Sequence, residues 1–331
     1  MALLLTEADV RAILTMPLAL KAVEDSFLRL ADGTAIVHSR HRLHMQGQSY
    51  LHYMAAADAT TGYMGLKMYT SSREGLRFLV PLFSGKSGDL VALIEADYLG
   101  QMRTGAATGI ATRWMAREDA RTVAMIGTGS QARTQLEAIA HVRKLESAHA
   151  FGRDAARREK FAKDMTEHLG IPVTAVVSAE EALRGAAIVV TSTTASQPVV
   201  EGRWLEPGMH VNAIGANFPQ KRELDGAAVG RCDLVVADSR EQSKHEAGDL
   251  IQAYGDDAAR WAAVRELSEI AGGKIAGRTS ANQITLFKSN GIASEDVVVA
   301  GCVYDLAKEK GIGQDIPLWK KDARTAEGRG L

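Results

Sequence analysis

The chain has 331 residues, with 39 Lys and Arg against 40 Asp and Glu, for a net charge of −1 at pH 7 with histidine neutral. That balance excludes the basic footprint of a nucleic-acid binder or of a protein drawn to an anionic membrane, and 46% hydrophobic with 24% charged residues suits a globular chain long enough for two domains. Cys232 and Cys302 are too few and too far apart for a disulfide framework or a Cys-x-x-Cys metal site, so the expectation is a cytoplasmic protein with no metal, secretory signal or membrane span.

Leu3 to Leu5 is a short apolar run, after which Thr6-Glu7-Ala8-Asp9 opens a helix as a capping box. Pro17 stands where a second helix starts. Ala22, Val23, Ser26, Phe27 and Leu30 share one of its faces, and Asp32-Gly33 ends it. Alternating runs at 39–45, 50–55, 62–70, 77–83 and 90–95, parted by turns such as 85–89, predict a largely antiparallel sheet. Asp97 is expected to cap a helix running to about Ala116, whose Gly105, Ala106, Ala107, Gly109 and Ala111 suit close packing.

From Arg121 onward the rhythm changes. Strands at 122–126, 148–151, 173–177, 187–192, 210–214 and 234–237 alternate with helices, which predicts a doubly wound parallel sheet of Rossmann type. Ser178-Ala179-Glu180-Glu181 opens one helix as a capping box. A last helix spans about 294–310, and the polar tail 320–331 is expected to fray. The division is therefore a dinucleotide-binding Rossmann domain at 116–300, with an α+β domain built from 1–115 and 301–331.

The strand at 122–126 runs into Gly127-Thr128-Gly129-Ser130-Gln131-Ala132, a G-x-G-x-x-A turn, and a helix follows from Gln131 to Arg143. Gly127 permits the tight turn, Gly129 lets the backbone approach a pyrophosphate, and Ala132 keeps helix and strand close. The free N–H groups of Ser130, Gln131 and the first helical turn then face the phosphates. At the end of the next strand Gly152 stands where an NAD-binding carboxylate is expected, and Arg153 follows. Glycine leaves room for a 2′-phosphate and arginine pairs with it, which favours NADP(H) while leaving NAD(H) possible.

Period-two alternation puts His38, Arg40, Arg42 and His44 on one strand face, and Lys67 with Tyr69 on another. Arg103 lies in the small-residue helix. Each of these cations alone reads as solvated. Together they are candidates for a pocket that holds an α-carboxylate.

At these residues the chain resembles the ornithine cyclodeaminase/mu-crystallin family. The resemblance rests on Gly65-Leu66-Lys67, on the run from Leu99 to Ala107 with Gln101 and Arg103, and on the glycine turn with Gln131. It continues through 206–215 and 284–291. It implies a substrate and dimerisation domain joined to a Rossmann domain, and hence a homodimer. It implies that Lys67 contacts the substrate carboxylate or reacting imine, that Arg103 clamps the carboxylate, and that Arg40 or its rival Arg42 assists. Thr193 and Asn212 would lie near the nicotinamide ribose and Ser289 near the nicotinamide face.

One departure matters. The cyclodeaminases carry an aspartate where this chain has Asn217, and an amide is no general base near neutral pH. Glu246 and Asp249 are alternative bases, although carboxylates of this kind are more often solvated helix ends. The expectation is therefore an NAD(P)H-dependent reductase of a small α-imino or α-keto acid, yielding an L-amino acid. The rivals are a deaminating ornithine cyclodeaminase and a non-catalytic NADPH-binding protein like mu-crystallin.

Overall fold

The structure is a computed structural model that describes residues 2–318. Its first half begins with β1 (Ala2–Leu5), α1 (Glu7–Ile13) and α2 (Met16–Asp32). The capping box at Thr6 is present: Thr6 accepts from the Asp9 N–H, and the Asp9 carboxylate takes the Thr6 N–H at 2.9 Å. Pro17 falls in the first turn of α2, and Gly33 ends that helix in the left-handed conformation at φ 83°. Then come β2 (Ala35–Met45), β3 (Ser49–Asp58), β4 (Tyr63–Ser72), β5 (Gly75–Ser84), β6 (Leu90–Glu95) and α3 (Asp97–Met115). Asp97 is the first residue of α3 and not its cap. The Asp97 and Tyr98 N–H groups donate instead to the Glu7 carboxylate, at 2.5 and 3.1 Å.

The second half runs β7 (Thr122–Ile126), α4 (Ser130–Val142), β8 (Ser147–Phe151), α5 (Ala155–Leu169), β9 (Val173–Ala175), α6 (Ala179–Leu183), β10 (Ile188–Thr191) and β11 (His210–Ala213). It continues with α7 (Gly226–Gly230), β12 (Leu234–Ala237), α8 (Arg240–Glu246), α9 (Gly248–Tyr254), α10 (Ala258–Ala263) and β13 (Arg265–Glu266). Last are α11 (Leu267–Ala271), β14 (Thr285–Lys288), α12 (Ala293–Lys310) and β15 (Gln314–Ile316). At α6 the Glu181 carboxylate reaches one residue beyond the cap, to the Val177 N–H, while Ser178 takes the Glu181 N–H.

Two sheets result. The first has the order β15-β1-β6-β5-β4-β3-β2, antiparallel except for the β1–β6 pair. Its alternation decides which side chains face inward. His52, Met54 and Ala56 of β3 and Gly65 and Lys67 of β4 are buried, while their neighbours in sequence are more exposed. Helix α12 lies against β3 and β4 and also packs on α2 and α3. The second sheet is parallel throughout, with the order β13-β12-β14-β11-β10-β7-β8-β9 and an apolar core on each face. It has two strands beyond those expected: β13 at the edge, and β14 between β11 and β12. Strand β14 is only four residues long and ends in a lysine, so it carries too little periodicity to be read as a strand.

The glycines of α3 set the spacing of the layers. A Cβ on Gly105 would run into the Thr134 carbonyl of α4, and one on Gly109 would lie 2.7 Å from Leu20 of α2. Among the described residues no helix is long and apolar enough to cross a membrane. The expected fraying of 320–331 lies outside the described residues.

Candidate functional site

The strand order of the second sheet reverses at β7, where β8 lies on one side and β10 on the other, and open α/β sheets bind ligands at that crevice. Gly127 opens the crevice with φ 111°, and a Cβ there would run into the Ser192 carbonyl. Gly129 caps α4 without any side-chain hydrogen bond, and nothing lies within 4 Å of where its Cβ would stand. The first N–H groups of α4 thus face open space, which fits a pyrophosphate. Ala132 is fully buried between helix and strand.

A cavity of about 810 Å³ extends from this turn along Gly152, Arg153, Arg157 and the loop Thr193–Gln197. A Cβ on Gly152 would press on the Thr128 hydroxyl, so a side chain there requires that hydroxyl to turn away. Asp154, which also lines this cavity, caps α5 by accepting from the Arg157 N–H at 2.9 Å.

A second cavity, of about 460 Å³, joins the same turn to the first sheet. Gly129, Ser130, Gln131, Thr193, Asn217 and Ser289 line it from the Rossmann side. Arg40, Lys67 and Arg103 line it from the other side. All three cations are buried, and each is held by a carboxylate. Lys67 Nζ donates to Asp296 Oδ1 at 2.6 Å, and Arg103 Nε donates to the same oxygen at 3.1 Å. Arg103 Nη1 donates to Glu295 Oε2 at 2.8 Å. Arg40 and Arg42 both reach Glu246 of α8, at 2.9 and 2.5 Å.

Burial shifts these groups in predictable directions. It lowers the Lys67 pKa, against the attraction of Asp296. It pushes Glu295 up to about 8, against the pull of Arg103. The far wall is aromatic. His52 stacks on Tyr69 with ring centres 4.2 Å apart and meets the edge of Phe218. Burial, with Arg42 and Arg40 adding to it, brings His52 down to about 4, so its ring is neutral at pH 7.

Two expectations require correction. Asn212 does not face the cavity: it is fully buried, and its amide donates to Thr112 Oγ1 at 3.1 Å and lies 3.2 Å from His210 Nε2. Glu246 and Asp249 are not solvated, since each is only 1% exposed. Glu246 is consumed by the two arginines, and Asp249 accepts the Glu223 and Leu224 N–H groups at 2.6 and 2.9 Å. Arg40 and Arg42 share one carboxylate, but of the two only Arg40 lines the cavity. Arg40 is also the deeper, and it donates to the Asn290 carbonyl at 2.8 Å.

Several residues were invisible in the sequence. Glu295 and Asp296 read as ordinary acidic residues at a helix start. Glu223 is fully buried and accepts the Thr193 and Gly215 N–H groups at 2.6 and 2.7 Å, tying together the loops after β10 and β11. Asp238 takes the Asn290 and Gly291 N–H groups.

The chain is similar to known proteins over most of its length. Residues 1–311 match the model of the ornithine cyclodeaminase/mu-crystallin family. A Delta(1)-pyrroline-2-carboxylate reductase of Bacillus cereus is 36% identical over 261 residues, covering 76% of this chain and 80% of that protein. The structure of Thermococcus litoralis Delta(1)-pyrroline-2-carboxylate reductase with NADH and L-proline is 35% identical. It superposes with a TM-score of 0.91 over 95% of this chain and 100% of its own. An archaeal alanine dehydrogenase dimer with bound NAD is 34% identical, with a TM-score of 0.89 over 96% of this chain and 99% of its own. The chain belongs to the ornithine cyclodeaminase/mu-crystallin family.

Proposed function

We propose that this protein is a nicotinamide-dependent reductase of a small α-imino acid, with a cyclic imino acid such as Delta(1)-pyrroline-2-carboxylate as substrate and an L-amino acid as product. The observation that carries this reading is the single cavity running from the α4 turn to Lys67 and Arg103. The reductase relatives in Bacillus and Thermococcus point the same way.

The bound nicotinamide supplies the hydride. The protein's own residues do the rest. Arg103 and Lys67 take the substrate carboxylate, with Arg40 behind them, and so orient the imine carbon toward the nicotinamide end of the cavity. The charge balance suits an added carboxylate. Burial pushes the Glu295 pKa up to about 8, so it offsets Arg103 less than an ordinary carboxylate would, while Lys67 and Arg103 share Asp296 and Arg40 and Arg42 share Glu246. The reduced imine nitrogen takes up a proton as the hydride reaches its carbon, and the Lys67 ammonium, which lines the cavity, is the group placed to donate it and to stabilise the developing charge. His52, Tyr69 and Phe218 exclude water from the ring of the substrate.

Asn217 lines the cavity without offering a base. Glu246 and Asp249 are both committed to other partners. This weighs against deaminating lyase chemistry.

The finer assignments rest on local features. NADP(H) is the preferred cofactor because Gly152 puts no carboxylate at the end of β8 to repel a 2′-phosphate, and Arg153 and Arg157 line the same cavity. The protein is a homodimer that pairs through the first sheet. Its edge strand β2 leaves Ile36, Leu43 and Met45 62%, 59% and 60% exposed, and uncovered edges of this kind invite a second copy.

Three outcomes test these assignments. Arg103→Ala raises KM for Delta(1)-pyrroline-2-carboxylate by roughly thirtyfold or more, since losing a buried charge partner costs about 2–5 kcal/mol, while NADPH affinity is unchanged. A parental KM in that variant places the carboxylate elsewhere. In calorimetric titrations NADPH binds more tightly than NADH, and Arg153→Ala removes most of that margin, about 1.5–3 kcal/mol for a charge-assisted contact; an unaltered ratio refutes the preference. Light scattering at micromolar concentration reports a dimer, and Leu43→Lys shifts it toward monomer. A parent that is already monomeric refutes the assembly.

A further inference from the structure

One carboxylate oxygen serves both inner cations of the cavity. Asp296 Oδ1 accepts from Lys67 Nζ at 2.6 Å and from Arg103 Nε at 3.1 Å, and Asp296 is fully buried in the first turn of α12. Two glycines leave space for the cation heads. A Cβ on Gly100 would stand 3.0 Å from Lys67 Nζ, and one on Gly291 would run into Arg103 Nη1. The other carboxylates near the cavity have different partners. Glu295 is held by Arg103, Glu246 by Arg40 and Arg42, and Asp238 by backbone N–H groups, while Asp97 stands at the exposed rim. Lys67 therefore has Arg103 and Arg40 as like-charged neighbours and Asp296 as its one ion-pair partner among the described residues.

We propose that Asp296 is the positioning residue of this site, fixing the Lys67 and Arg103 heads relative to each other and holding Lys67 as an ammonium for the substrate. This inference rests on the reductase reading for its chemistry, but not for its binding geometry. The physical need is plain. A buried lysine beside two arginines loses its proton unless an opposite charge lies within contact, and the N-terminal end of α12 adds its own stabilisation to that charge. Burial does lower the Lys67 pKa, and Asp296 is the largest influence opposing it. Asp296 touches neither substrate nor nicotinamide in this scheme; it acts through Lys67 and Arg103.

Two variants and two readouts test it. Asp296→Asn removes the charge at constant size, and Asp296→Glu keeps the charge but displaces the oxygen. The first readout is the pH profile of kcat/KM for NADPH oxidation with Delta(1)-pyrroline-2-carboxylate. The second is calorimetric binding of pyrrole-2-carboxylate, an inert planar carboxylate, to the NADPH-loaded protein. In Asp296→Asn the alkaline limb moves to lower pH by about one to three units, because Lys67 now loses its proton earlier, and pyrrole-2-carboxylate binds about tenfold or more weakly. In Asp296→Glu the limb stays in place while binding weakens. NADPH affinity is parental in both. A parental limb and parental binding in Asp296→Asn overturn the proposal. Should that variant not fold, parental binding in Asp296→Glu overturns it equally. A parent that binds pyrrole-2-carboxylate but oxidises no NADPH with the imine refutes the reductase reading alone, and the binding series still decides the role of Asp296.

Discussion

The structure depends on how buried cations are held next to a cavity that a ligand must enter. Arg40, Arg42, Lys67 and Arg103 come from β2, β4 and α3, while their partners Glu246, Glu295 and Asp296 come from α8 and α12. Taking such charges out of water costs several kcal/mol per ion unless each is paired and hydrogen-bonded. Every pair therefore links the first sheet and its helix to an element that arrives much later in the chain. The same contacts that make burial tolerable also fix where the cavity forms. Helix α12 is seated across β3 and β4 by its buried valines and alanines, and its acidic first turn falls at the cavity.

The Rossmann side meets the opposite requirement, which is to leave polar backbone unpaired where a ligand comes. Gly129 ends the turn with open space beside it, and no side chain caps α4. Behind this face the loops are held rigidly. Glu223 gathers the N–H groups of Thr193 and Gly215, and Asp249 gathers those of Glu223 and Leu224. Lys288 lies 3.1 Å from Asp249, so the cluster that organises the loops contains its own counter-charge. Preorganised loops of this kind let a dinucleotide bind without paying the ordering cost at that moment.

Much of this was legible in the sequence where a local rule applied. The G-x-G-x-x-A turn announced itself because strand, turn and helix follow one another without interruption. Lys67 and Tyr69 share a face by the parity of a strand, and Arg103 stands out as a cation in a helix otherwise built for close packing. What was illegible is what depends on contacts across the chain. Asp296 lies 229 residues from the lysine it holds, and locally it is only an acidic residue at a helix start. Glu246 sits in a polar run that reads as solvated until β2 brings two arginines to it. Asn212 is turned away from the cavity by a hydrogen bond to Thr112, on a helix 100 residues earlier. Strand β14 was hidden because Lys288, fully buried in the fold, looks like a surface residue in the sequence.

The central claim is that one cavity holds the carboxylate of an imino acid at Arg103 and Lys67 while presenting its reacting carbon to the nicotinamide. A crystal structure of the protein with NADP⁺ and L-proline measures this directly. The account predicts the proline carboxylate within hydrogen-bond distance of both Arg103 and Lys67, with its Cα facing the nicotinamide ring above the Gly129 turn. Proline bound with its carboxylate away from both residues, or a dinucleotide lying outside the crevice between β7 and β10, would contradict it.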